Sequence, residues 1–192
     1  MNKRFIYLLL IGMFWACAET STQTTNENTT TIQDTSEKKE QTPTGNTPQT
    51  LDQAKFSLQY PTGWTVTKGN TPGQLATLTT EQTSAQDQFR EQVHITLQRS
   101  STEAFTLKKL AGIIEKQVTK EVKAINITDK ETKNDYFEME YIGNMDGRKM
   151  KWKKRAWVKN KEALIMTYLA EFENFDKYIK EVNEMMGSFK AK

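Results

Sequence analysis

The Asp146-Gly147 pair constrains this chain more than any other feature. A two-residue hairpin of the mirror-image type needs positive φ at both central positions, and Asp-Gly is among the pairs that tolerate it. Alternating runs lie on either side, Tyr136 to Gly143 and Arg148 to Lys159. Once the turn is placed, the register follows. Met145 faces Arg148, Tyr141 faces Trp152, Glu140 faces Lys153, Glu138 faces Arg155 and Tyr136 faces Trp157. A slip of one residue would turn every apolar side chain to the opposite face, so a buried face locks this pairing. A second hairpin at Asn160-Lys161 leads into Glu162 to Ala170, where Leu164, Ile165 and Met166 run without a polar break. Such a strand is expected to be covered on both faces.

Upstream, the same alternation predicts further strands. Phe56, Leu58 and Tyr60 alternate with Ser57 and Gln59, and Pro61-Thr62-Gly63 supplies a turn. Trp64 and Val66 begin the next strand, Leu75 to Thr80 forms another, and Phe89 to Leu97 places Val93, Ile95 and Leu97 on one face. Ala124 to Thr132 reads as a strand as well. Two segments read as helices. Leu107, Leu110, Ala111, Ile114 and Val118 form one apolar stripe behind Thr106 as N-cap, with Phe105 and Leu110 placed as a hydrophobic staple. Asn174 is placed to cap a final helix with Phe175, Ile179, Val182, Met186 and Phe189 on its buried side.

The N-terminal quarter has a different character. Lys3 and Arg4 precede an uncharged apolar run, Phe5 to Trp15, and the chain returns to small residues at Ala16-Cys17-Ala18. This is the pattern of an export signal, and it is shorter than the ~20 apolar residues of a membrane-spanning helix. Phe14-Trp15-Ala16-Cys17 resembles a bacterial lipoprotein box, which makes Cys17 the expected lipidation site and residues 1–17 the signal. The alternatives are cleavage after Ala18, which would release a soluble periplasmic protein, and an uncleaved anchor in which Cys17 is incidental. Cys17 is the single cysteine, so no intramolecular disulfide and no cysteine-rich zinc site can form. Residues 18–50 hold 12 threonines and one large apolar residue, Ile32. That composition cannot offset the entropy of ordering, so a disordered tether is expected before a domain at 51–192.

The candidate contact face is the basic strand from Arg148 to Lys159. Lys151, Lys153, Arg155 and Trp157 share one parity there and could meet a small ligand or an anionic polymer. Glu138 and Glu140 stand opposite on the same hairpin, however, and favour a face paired within itself. A net charge of +3 and an export signal argue against nucleic acid as partner. His94 is the sole histidine, and neither a zinc ligand set nor a calcium loop accompanies it, so no metal and no cofactor are expected. Nucleophile elbows, phosphate loops and dinucleotide fingerprints are missing from the chain. An enzyme is therefore not expected. An envelope hydrolase with paired carboxylates is the weakest alternative.

Three stretches carry a family resemblance. Phe56-x-Leu58-x-Tyr60-Pro61-x-Gly63-Trp64 resembles the opening of PsbP-like domains, which share their fold with the Ran-binding Mog protein. Asp87-x-Phe89-Arg90-Glu91-Gln92-Val93-x-Ile95 is similar to a second stretch of that family, with Gln92 where Asn is more usual. Thr167-Tyr168, Phe175-Asp176-x-Tyr178 and Gly187-Ser188-Phe189 resemble its last strand and closing helix. The resemblance implies an α+β fold, an antiparallel sheet flanked by helices in an αβα sandwich. It also implies a non-catalytic accessory domain that acts by protein contact. With the signal, it points to a lipoprotein of the bacterial cell envelope, attached to a membrane through its lipid and partnered by an unknown envelope protein.

Overall fold

A computed structural model describes residues 47–192 except Ala85, Gln86, Gln88, Thr102 and Glu103, all within the unit Thr42–Lys192. The expected signal 1–17, its Cys17 and residues 18–46 of the expected tether lie outside the described residues. Strand structure opens with β1 (Gln49–Asp52), two residues ahead of the domain start expected at 51.

Among the described residues, ten strands form two antiparallel sheets. The small one has the order β1-β2-β10, with β2 at Phe56–Tyr60 and β10 at Lys190–Ala191. The large one runs β3-β4-β5-β9-β8-β7-β6. Its strands are β3 (Trp64–Lys68), β4 (Gln74–Thr80), β5 (Gln92–Arg99), β6 (Lys123–Thr132), β7 (Tyr136–Met145), β8 (Arg148–Lys159) and β9 (Glu162–Glu171). Helix α1 (Leu107–Glu121) packs on β6, β7 and β8, and α2 (Phe175–Ser188) packs on β2 and β9. The α+β architecture is the one expected. That β2 belongs to a separate small sheet was not legible beforehand. The turn at Pro61–Gly63, with Gly63 at φ 90°, carries the chain from one sheet to the other instead of folding β2 onto β3.

Both hairpins adopt the register set by their turns. Asp146 and Gly147 have φ of 51° and 79°, and Met145 pairs with Arg148, Tyr141 with Trp152 and Tyr136 with Trp157. Across the second turn Lys159 pairs with Glu162, and the pairing continues to Met150 with Glu171. Strand β9 divides the interior by parity. Leu164, Met166 and Tyr168 join Phe56, Val93, Ile95, Val182 and Met186 in one core. Ile165 and Leu169 join Leu110, Ile114, Val118, Phe137, Tyr141 and Trp152 in the other. Both faces of β9 are covered, as its unbroken apolar run requires.

Two local expectations change. The strand expected from Phe89 begins at Gln92. Phe89 shares parity with Val93, which faces the first core, yet Phe89 packs on the second, so the backbone must turn between them. Asn174 does not cap α2 through its side chain. That side chain instead lies near Glu91, the buried carboxylate ahead of β5, and helps to hold its pKa down. Thr106 does cap α1, its Oγ1 accepting from the Lys109 amide at 3.2 Å.

Candidate functional site

The basic strand β8 alternates its side chains between the two faces of the large sheet. Lys151, Lys153, Arg155 and Trp157 fall on the face shared with α2, as their parity requires. The hairpin register brings Glu138 and Glu140 of β7 beside them. Lys153 Nζ lies 2.9 Å from Glu138 Oε1 and 3.0 Å from Glu140 Oε1. Arg155 Nε reaches Glu138 Oε2 at 2.6 Å, and Lys151 Nζ reaches Glu140 Oε2 at 3.1 Å. Each carboxylate thus bridges two cations, and Lys153 sits in the middle with 7 % of its surface exposed. Aromatic rings complete the surroundings. Arg155 lies over Tyr136, Lys151 over Phe175, and Trp157 stacks on Phe189 with ring centroids 4.2 Å apart.

The titration of these groups reflects that closure. Burial pushes Glu140 up, but hydrogen bonds from Lys153 and Lys151 outweigh it and hold the carboxyl below its ordinary 4.5. For Lys153 burial acts downward, yet its bonds to Glu138 and Glu140 raise it above 10.5. The three cations and two carboxylates are ion-paired with one another. A face whose three cations are all paired to two carboxylates can support contact with a protein surface, but offers few free donors to an anionic polymer.

Other surfaces are more open. A groove of about 440 Å³ runs along α2, lined by Tyr60, Pro61, Lys180, Glu181 and Glu184 among others. Beside it Glu181 Oε2 accepts from Trp64 Nε1 at 2.6 Å, so the Trp64 donor is satisfied. Among the described residues no group of three His, Cys, Asp or Glu side chains could hold a metal ion, and no helix is long and apolar enough to cross a membrane.

The fold brings two further polar groups into view. Glu91 is 2 % exposed, and its Oε1 has no hydrogen-bond partner among the described residues. Lys154 follows Lys153 directly but points to the opposite face, where Thr167 receives its hydrogen bond. A signal for Lys154 was present. The hairpin parity sets this lysine in line with Trp152 and Ala156, on a face that is otherwise apolar.

No protein-family model matches the chain, and no curated protein sequence matches it. Solved structures do. The solution structure of the cyanobacterial PsbP (CyanoP) of Synechocystis aligns with a TM-score of 0.58 at 12 % identity, covering 78 % of this chain and 96 % of that one. LpqN of Mycobacterium tuberculosis, described as involved in cell envelope biogenesis, aligns with a TM-score of 0.59 at 9 % identity, covering 76 % and 90 %. A Pseudomonas aeruginosa protein of unknown function aligns at 0.51 and 12 % identity, covering 72 % and 93 %. Two helices on two antiparallel sheets, shared over almost the whole length of these neighbours, give this chain the PsbP-like fold.

Proposed function

We propose that this chain is a cell-envelope lipoprotein, anchored to a membrane through Cys17, whose PsbP-like domain is a non-catalytic accessory part acting by protein contact. The observation that carries the accessory reading is the closure of the β7–β8 face. The most basic strand of the chain directs Lys151, Lys153 and Arg155 to Glu138 and Glu140 rather than outward. The fold is shared with LpqN, a protein described as involved in cell envelope biogenesis, which supports an envelope setting. The anchor rests on the sequence from Phe5 to Cys17. Several acyl chains on one cysteine would hold a domain at a membrane without a spanning helix.

Fractionation and fatty-acid labelling of Cys17→Ser test the anchor. The label and the membrane fraction should both be lost, and unchanged behaviour would refute it. Crosslinking in intact cells, read by mass spectrometry, tests the accessory role. A reproducible envelope protein joined through the folded domain is the expected result. The second reading, an anionic-polymer binder using Lys151, Lys153, Arg155 and Trp157, requires charge reversal at the three cations to weaken polymer binding; binding that persists would dismiss it.

A further inference from the structure

Lys153 and Lys154 are adjacent in sequence and opposite in environment. Lys153 is held between two carboxylates. Among the described residues Lys154 has no carboxylate at ion-pair distance, and its Nζ donates to Thr167 Oγ1 at 3.1 Å. The strand registers extend this contact into a line. Thr77 of β4 stands opposite His94 of β5, His94 opposite Thr167 of β9, and Thr167 opposite Lys154 of β8. All four are half-buried, on the sheet face that Ile165, Leu169 and Trp152 share with α1.

The hydrogen bonds give this line a polarity. Gln74 Nε2 donates to Thr77 Oγ1 at 2.9 Å, and Thr77 Oγ1 lies 3.1 Å from His94 Nδ1. The arrangement that gives the Thr77 proton an acceptor has it donated to Nδ1. The imidazole then carries its own proton on Nε2. From the other end, Lys154 donates to Thr167 Oγ1, which leaves the Thr167 proton for another acceptor. In that tautomer the centre of the line presents His94 Nε2–H, the Thr167 hydroxyl and the Lys154 ammonium, which are all donors. Neighbouring strands stand about 4.8 Å apart, so adjacent donors can reach the oxygens of a single bound group.

We propose that His94, Thr167 and Lys154 form a binding site for a small oxyanion, a carboxylate or phosphate group, on the α1 side of the large sheet. An oxyanion would supply the close ion-pair partner that Lys154 lacks among the described residues, beyond the more distant pull of Glu121, and an acceptor for the Thr167 proton. Its surroundings are largely apolar, which strengthens charge-assisted hydrogen bonds. The charged group facing Lys154 from the helix layer is Glu121 of α1, and His94 faces it from β5. Burial pushes Lys154 down to about 8, against the opposing pull of Glu121. Burial, then the Lys154 charge, holds His94 below its ordinary 6.5. Above 6.5 the imidazole is neutral, so binding should weaken as pH rises and Lys154 loses its proton.

His94 is the only histidine of the chain, so ¹³C-labelled histidine yields one ring signal. The full chain in dodecyl maltoside micelles is titrated at pH 7 with inorganic phosphate and, separately, with acetate, chloride holding the ionic strength constant. A saturable displacement of the ring signal is expected, and the arm that saturates at lower concentration identifies the oxyanion. Lys154→Met and Thr167→Val should each weaken the apparent affinity, Lys154→Met by about tenfold or more. Wild-type affinity should fall between pH 7 and pH 9. Absence of saturation in both arms, or an equal response to chloride, would overturn the proposal. Wild-type affinity in the near-isosteric Thr167→Val would also overturn it.

Discussion

Lys154 Nζ lies 3.1 Å from Thr167 Oγ1 across the β8–β9 pair, so one neutral hydroxyl holds an ammonium within a largely apolar sheet face. Burial lowers this lysine from 10.5 to about 8, with Glu121 opposing. Between those values the unfolded chain binds more protons than the folded one, so stability rises with pH there. At pH 7 both states are protonated and the whole cost of burying the charge is present. Lys154→Met should therefore raise stability at pH 7 by about 1–3 kcal/mol, and the advantage should fade towards pH 10.5. Urea unfolding at several pH values reads this directly. A variant less stable than wild type at pH 7 would contradict it.

Glu91 has the opposite charge and the same difficulty. Its Oε2 accepts from Thr80 Oγ1 at 3.3 Å, while burial raises its carboxyl above 4.5 despite the opposing pull of Asn174 and Thr80. A carboxyl raised in the folded state stabilises below its unfolded pKa, and that contribution is lost as pH climbs through the folded one. Glu91→Gln should thus stabilise the chain at neutral pH by about 0.5–2 kcal/mol and lose its advantage near pH 4. Thermal midpoints measured from pH 4 to pH 8 should diverge in favour of the variant as pH rises.

Lys153 is predicted to behave differently from its neighbour. Lys153→Met removes the cation between Glu138 and Glu140 and leaves the two carboxylates with Arg155 and Lys151 alone. A loss of about 1–3 kcal/mol is expected at pH 7. Glu140 is depressed in the folded state, so its contribution is present above 4.5 and lost as pH falls through its lowered value. The deficit of the variant should accordingly shrink in acid. A deficit that stays constant down to pH 2 would show that packing, not charge, set its size.

Phe189 joins the two sheets through its ring, stacked on Phe56 of the small sheet at 5.5 Å and on Trp157 of the large one at 4.2 Å. Phe189→Ala should cost about 3–5 kcal/mol and expose one face of Trp157. A lower denaturant midpoint with red-shifted tryptophan emission is the expected pair of observations. A midpoint within error of wild type would mean that the stack does not couple the sheets.

Much of the β7–β8–β9 region was legible in the sequence because its registers are local. A two-residue turn leaves the flanking strands a single way to pair, so the Glu138–Arg155 and Glu140–Lys153 partners followed from Asp146-Gly147. The α1 stripe and its Thr106 cap were legible for the same reason, since each depends on residues within a few turns of one another. The failures were non-local. Asn174 is a residue type that caps helices, but its side chain makes no cap hydrogen bond and lies instead near Glu91, far off in sequence. Only two residues of β10 return to β2, too few for any periodicity to register.

The sequence by itself determined the two hairpins, the faces of their strands and the pairing of the basic face with two carboxylates, because short turns and parity carry that information along the chain. It also set Lys154 opposite Thr167, through the turn at Asn160-Lys161. The tertiary structure alone decided that His94 would complete the line. Strand β5 enters the sheet beside β9 across a long stretch of intervening chain, and no turn fixes that register. It is set by burial of Val93, Ile95 and Leu97 in one core with Leu164, Met166 and Tyr168. Parity then delivers His94 to the other face, beside Thr167, where chemistry that neither residue announces alone can be assembled.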